Sequence, residues 1–330
     1  MAEAIVHPRE AAELIGCEAA EAAFLAALER GRLHHAWLLV GPEGVGKATF
    51  AYRAARRLLG ARPEPELGPL GAHPDDPVFR QVAGRAHPDL LVLELADGEG
   101  RGRKSIPVDE ARALPEFFAK SPGRAAYRVA IIDTADDLGS SAANAVLKTL
   151  EEPPERGVVF LVSHRPGALL PTIRSRCRRL AFPAPARELA ADWVAKRADV
   201  SIEAALSLLK IARGAPGRAL RLAAAGALEL DEAARRLVER LPAVDEAAAL
   251  ALADSFRGAE GQARFALVMD RIAATLHDGA AGAALEGRGA LDRMAQAWSL
   301  VSDLPGEAEA INLDRADAFF TALSRLKALA

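Results

Sequence analysis

Apolar residues follow two rhythms along this chain. Short continuous runs occur at Trp37 to Val40, Asp89 to Leu95, Val129 to Ile132 and Val158 to Val162. Runs of that length, rich in β-branched and large aliphatic side chains, suit strands buried on both faces of a parallel sheet. Elsewhere the period is helical. Ala142, Ala145, Val146 and Leu150 share one helix face, with Ser140 and Ser141 as its cap and Glu151-Glu152-Pro153-Pro154 as its end, since proline removes a donor and pushes the residue before it out of the helical region. Residues 11–30 predict an amphipathic helical region interrupted at Gly16, and TFAYRAARRLL (49–59) and Val108 to Lys120 predict two more helices. Residues 60–85 are a proline- and glycine-rich connection, too broken for a long regular element. Phe182-Pro183-Ala184-Pro185 reads as a linker, residues 187–225 as a short helical lid, and every segment from about 229 onward as helix. There, Phe265, Val268, Met269, Ile272 and Leu276 form one apolar stripe, and Leu291, Met294, Ala295 and Trp298 a second, both predicted to face a core.

An open α/β sheet collects ligands at the carboxyl ends of its strands. Asp133 and Ser163 close two of the predicted strands and so fall side by side at that edge. The strand at Trp37 to Val40 runs into GPEGVGKA, Gly41 to Ala48, and then into a helix. This is the phosphate-cradling G-x-x-x-x-G-K pattern in its required context of strand, turn and helix. Gly41, Gly44 and Gly46 allow backbone amides to face phosphate oxygens, the helix N-terminus adds favourable partial charge, and Lys47 reaches toward the outer phosphates. The next position breaks the pattern, because Ala48 stands where a serine or threonine hydroxyl normally holds magnesium. Thr49 is about a hundred degrees further round the helix and is poorly placed to substitute.

Composition narrows the classes. With 330 residues, 26% charged and 51% hydrophobic, the chain has room for two or three domains of a soluble globular protein. A net charge of −3 excludes a strongly basic nucleic-acid binder but leaves a local basic patch open. Arg101, Arg103, Lys104 and Lys120 suit a phosphate backbone and an ordinary solvated loop equally. Cys17 and Cys177 are far apart in sequence, which fits a reducing compartment. Without a signal-peptide pattern or an apolar stretch of membrane-spanning length, the expectation is a cytoplasmic protein with no membrane partner. His73, Asp75, Asp76 and His87 match no closed zinc spacing, so no metal site is assigned to them.

The order GPEGVGKA, RVAIIDTADDL, AANAVLKTLEEPP, PTIRSRC and GAPGRALRL resembles the AAA+ clamp-loader family of the bacterial DNA polymerase III holoenzyme. That resemblance implies an α/β fold: an AAA+ P-loop domain with a central parallel sheet over 1–183, a small helical lid over 184–226 and an all-α C-terminal collar over 227–330. By the same resemblance, Asp133 matches the acid that positions magnesium, Ser163 the polar sensor beside it, and Arg218 the lid-domain sensor arginine. Arg176, in the Ser175-Arg176-Cys177 motif, matches the arginine finger that reaches a neighbour's ATP. Thr134 replaces the glutamate that activates water, and a threonine hydroxyl is no general base at neutral pH. The resemblance therefore leaves ATP binding open, expects magnesium only with nucleotide, and argues against hydrolysis by this chain. Some family members carry a cysteine-ligated zinc module between the loop and the acid; no cysteine lies there, so no zinc is expected. The implied partners are gamma/tau-type motor subunits and a delta-type clamp-opening subunit in a hetero-pentamer that loads a sliding clamp onto primed DNA. The chain would then belong to a DNA polymerase without polymerase chemistry of its own. A motor-type clamp-loader ATPase is the first alternative. A stand-alone P-loop phosphotransferase is the second, and it has no use for the SRC turn or the helical C-terminal domain.

Overall fold

The computed structural model describes residues 5–95, 105–153, 155–258, 261–285, 291–311 and 313–329. Arg101, Arg103 and Lys104 of the basic turn lie outside the described residues, as does Pro154. Two compact units divide the chain, residues 1–220 and 221–330.

A five-stranded parallel sheet organises the first unit. Strands β1 (Ala36–Val40), β2 (Leu90–Glu94), β3 (Arg128–Asp133), β4 (Gly157–Ser163) and β5 (Arg178–Ala181) lie in the order β2-β3-β4-β1-β5. Helices α1 (Glu18–Glu29), α2 (Lys47–Leu58), α3 (Pro77–Ala83), α4 (Val108–Phe118), α5 (Ser140–Glu151) and α6 (Pro171–Arg176) connect the strands, and α7 (Arg187–Ala198), α8 (Ile202–Ile211) and α9 (Pro216–Ala224) follow. Side chains alternate across a strand. Leu39, Val129, Ile131, Val158 and Phe160 therefore pack with α1 and α2, and Leu38, Val40, Ala130, Ile132 and Leu161 with α4 and α5. Phe24 sits in an aromatic cluster on the first face, 5.2 Å from Trp37, 5.8 Å from Phe50 and 5.7 Å from Phe160. Truncating a buried ring of this kind costs about 3–5 kcal/mol. Covering both faces with apolar residues is what allows continuous apolar strands and leaves the strand ends for chemistry.

Several local expectations fall out differently. Residues 11–15 are irregular rather than helical, and α1 starts only after Gly16 and Cys17. Two buried arginines explain this: Arg53 donates to the carbonyl of Ala12, and Arg56 to those of Ala11 and Arg9. Those carbonyls are taken out of any helix ladder. Gly139, not Ser140 or Ser141, is the N-cap residue of α5. Strand β5, absent from the expected elements, is one of the two sheet edges; its two arginines hide the strand pattern and suit an open edge. Asp76, weighed above as a metal ligand, caps α3 by accepting from the amides of Val78 and Phe79.

The second unit contains α10 (Ala227–Glu239), α11 (Glu246–Asp254), α12 (Gly261–Leu285), α13 (Leu291–Ala310) and α14 (Arg315–Leu329). Phe265, Val268, Met269, Ile272 and Leu276 of α12 are buried with Phe256 and Phe319, as their spacing predicts. On α13 the core face is Ala297, Val301, Leu304 and Ala308 instead, while Ala295 is exposed and Trp298 is 47% exposed. Both sets keep helical spacing, and periodicity alone does not choose between them. Among the described residues no helix is long and apolar enough to cross a membrane.

Candidate functional site

The loop between β1 and α2 is positioned by the register of the sheet, which pairs Val40 with Ser163 and Glu94 with Asp133. Asp133, Ser163 and the loop thus share one end of the sheet. Gly46, at φ +98, is the N-cap residue of α2, and Lys47 opens the helix. Lys47 is buried, and its Nζ donates to the carbonyls of Gly41 and Pro42, each at 2.6 Å. Burial lowers its pKa to about 8, against the opposing pull of Asp133, Glu43 and Asp136.

The first turn of α9 closes on this loop. The Gly217 amide donates to the Gly44 carbonyl at 2.8 Å. Gly44 has φ +81, and a Cβ there would lie 2.4 Å from the Arg218 nitrogen. Arg218 is therefore beside the loop through its backbone. At Gly46 a Cβ would meet Leu14 Cδ1 at 2.4 Å, so the glycines here admit the chain's own segments at close range. Ala48 packs against the apolar core and offers no oxygen. Lys47 and the first turn of α9 therefore both rest on the loop backbone, and position 48 supplies no hydroxyl to a magnesium ion.

Ser163 is fully buried, and its hydroxyl donates to Asp136 Oδ1 at 2.7 Å. The amides of His164 and Arg165 donate to Asp136 Oδ2. Asp136 therefore ties the end of β4 to the turn after β3, a role the sequence reading missed. Its only signal was a further acid three residues beyond Asp133. Thr134 donates its hydroxyl to Asp137 Oδ2 at 3.0 Å, so its oxygen is committed locally. His164 has its pKa lowered, first by burial and then by Lys47, with Glu43, Asp136 and Asp137 opposing. The unfolded chain then takes up a proton at this residue before the folded one does. Stability drains away below the ordinary value of 6.5, where the unfolded state binds more protons. On acidification from about pH 7.5 to about pH 5.5, the thermal midpoint should fall less in His164→Gln than in the wild type. Equal falls would remove His164 as a source of that loss.

Arg176, the last residue of α6, is not part of this cluster. Its guanidinium pairs with Glu151 at 2.9 Å and donates to the Thr172 carbonyl at 3.1 Å. The Ser175 hydroxyl donates to the same carbonyl, and burial pushes the Cys177 thiol up to about 12, leaving it a packing group. The guanidinium keeps 36% of its side-chain surface exposed.

Comparison with known proteins gives a consistent set. The family described as DNA polymerase III, delta subunit, matches residues 17–186. A protein of Pseudomonas aeruginosa named DNA polymerase III subunit delta′ is 37% identical over 201 residues, 61% of this chain and 59% of that relative. The Escherichia coli protein of the same name is 32% identical over 198 residues, 60% of this chain and 57% of its own length. A Mycobacterium tuberculosis protein named DNA polymerase III subunit gamma/tau is 35% identical over 175 residues, 53% of this chain and 29% of that relative. The matched stretch thus spans under two thirds of each of these relatives.

Proposed function

The chain belongs to the DNA polymerase III, delta subunit family, and from that membership we propose that it is a delta′-type clamp-loader subunit that completes a neighbour's ATP site while hydrolysing little or no ATP itself. Its partners in this reading are gamma/tau-type motor subunits and a delta-type subunit in a hetero-pentamer, which acts on a sliding clamp and primed DNA. The three domains of the proposal are the AAA+ domain over 1–183, the lid over 184–226 and the collar over 227–330. The observation that carries it is the closed phosphate loop. Gly217 and Arg218 lie on Gly44, and Lys47 is spent on the carbonyls of Gly41 and Pro42. Ala48 lacks a metal-binding hydroxyl, and the Thr134 hydroxyl is engaged with Asp137. Both features support the reading of a chain that hydrolyses little or no ATP.

Arg176 supports the other half of the reading. Its side chain is about a third exposed and is held by a single exposed carboxylate and one carbonyl. A planar fork of donors of this kind stabilises charge growing on a transferring phosphoryl group. ATP hydrolysis by the purified chain alone, at saturating ATP and magnesium, tests the proposal, and the expected result is no turnover above buffer. Lys47→Ala should leave the turnover of the reconstituted assembly within about twofold, since Lys47 already faces loop carbonyls. Turnover by the chain alone that Lys47→Ala abolishes would establish a motor-type ATPase in its place.

A further inference from the structure

We infer that the groove between the C-terminal end of α1 and the start of β5 is a phosphate-binding site for a nucleic-acid backbone. It is a cavity of about 400 Å³ lined by Ala23, Ala26, Ala27, Arg30, Arg32 and Arg178. The arginines arrive from three places. Arg30 is the C-cap residue of α1, Arg32 follows the turn at Gly31, and Arg178 opens the edge strand. Arg178 is held over the Trp37 ring, 4.9 Å from its centroid, a contact that fixes a guanidinium without neutralising it. All three are exposed, and among the described residues none has a carboxylate within ion-pair reach. The helix dipole accounts for Arg30 at a C-terminus but for neither of the others. In a chain of net charge −3, three uncompensated guanidinium groups around one cavity are a local reversal of sign.

Guanidinium forks match phosphate oxygens in pairs. The alanine floor has no ring to stack a base and, lying mid-helix, no free amide to read a base edge. Contact is therefore limited to the sugar–phosphate backbone and is independent of sequence. An acidic peptide fits less well, because its amides would lose water against alanine methyl groups without gaining partners. A sugar–phosphate chain has no such donors to satisfy. The choice of nucleic acid rests on the clamp-loader reading in one respect: that duty brings the chain to primed DNA.

The test is fluorescence anisotropy of a labelled duplex oligonucleotide titrated with the full chain over a salt series. Three neutralised phosphates predict that affinity falls about forty-fold between about 50 and 200 mM salt, and each lost contact lowers the slope of log affinity against log salt by about 0.9. R30Q/R32Q/R178Q should remove that salt dependence with an unchanged melting midpoint, while R30K/R32K/R178K should keep most of it. Wild-type binding and slope in the glutamine variant would overturn the inference. So would a polyglutamate peptide, or inorganic phosphate alone, binding through these arginines while the duplex does not. Because this readout uses the isolated chain, it can fail while the Arg176 dependence of the assembly stands, and the reverse failure would strike only the clamp-loader reading.

Discussion

Arg176→Ala should lower ATP turnover at the site it serves in the reconstituted assembly by about a thousandfold or more, the range over which an arginine finger acts, with no loss of assembly by size-exclusion chromatography. In the free chain the side chain is weakly held. Its partners in cis are Glu151, 50% exposed, and the Thr172 carbonyl. An exposed pair of this kind is worth only about 0.2–1 kcal/mol, so transfer of the guanidinium to a more demanding anion costs little. Arg176→Lys should recover almost none of the lost turnover, because a lysine ammonium lacks the planar fork. Unchanged turnover in Arg176→Ala would sink the finger assignment and leave the chain a scaffold subunit only.

Arg53→Ala should be among the most damaging single changes to stability, at about 3–5 kcal/mol, because it strands a buried carboxylate. Arg53 and Glu21 pair at 2.5 Å with side chains 1% and 3% exposed. Arg53 also donates to the carbonyls of Ala12 and Leu67, and Glu21 accepts from the Leu70 amide. One ion pair thus ties the segment before α1 and the loop after α2 to the back of the phosphate-loop helix. The double variant Arg53→Met/Glu21→Leu should regain part of the loss, since removing both charges ends the desolvation cost, but not all of it, since the carbonyls stay unpaired. Chemical denaturation of the two variants beside the wild type decides the matter; a loss under about 1 kcal/mol in Arg53→Ala would show that water reaches the pair.

The phosphate-loop region was legible in sequence to the extent that its chemistry is local. Gly41 to Lys47 sits between a strand and a helix in the printed order of residues, and no tertiary contact is needed to recognise it. Asp133 and Ser163 were legible because apolar runs end at them. Asp136 was not, because its partners are Ser163 at the end of the next strand and His164 and Arg165 just beyond it, 27 to 29 residues away. The groove at Arg30, Arg32 and Arg178 was equally hidden: two of its arginines follow α1, and the third opens a strand whose pattern its own charges obscure.

By itself the sequence determined four strands of the parallel sheet, the helical C-terminal half, the phosphate loop and the substitutions Ala48 and Thr134, all features carried by periodicity or by neighbouring residues. Only the tertiary structure decided that residues 11–15 lie irregular against Arg53 and Arg56, that α13 turns Val301 rather than Trp298 inward, and that α9 packs on Gly44. Each of these is settled by contact between segments distant along the chain, where several locally acceptable arrangements compete and burial selects one.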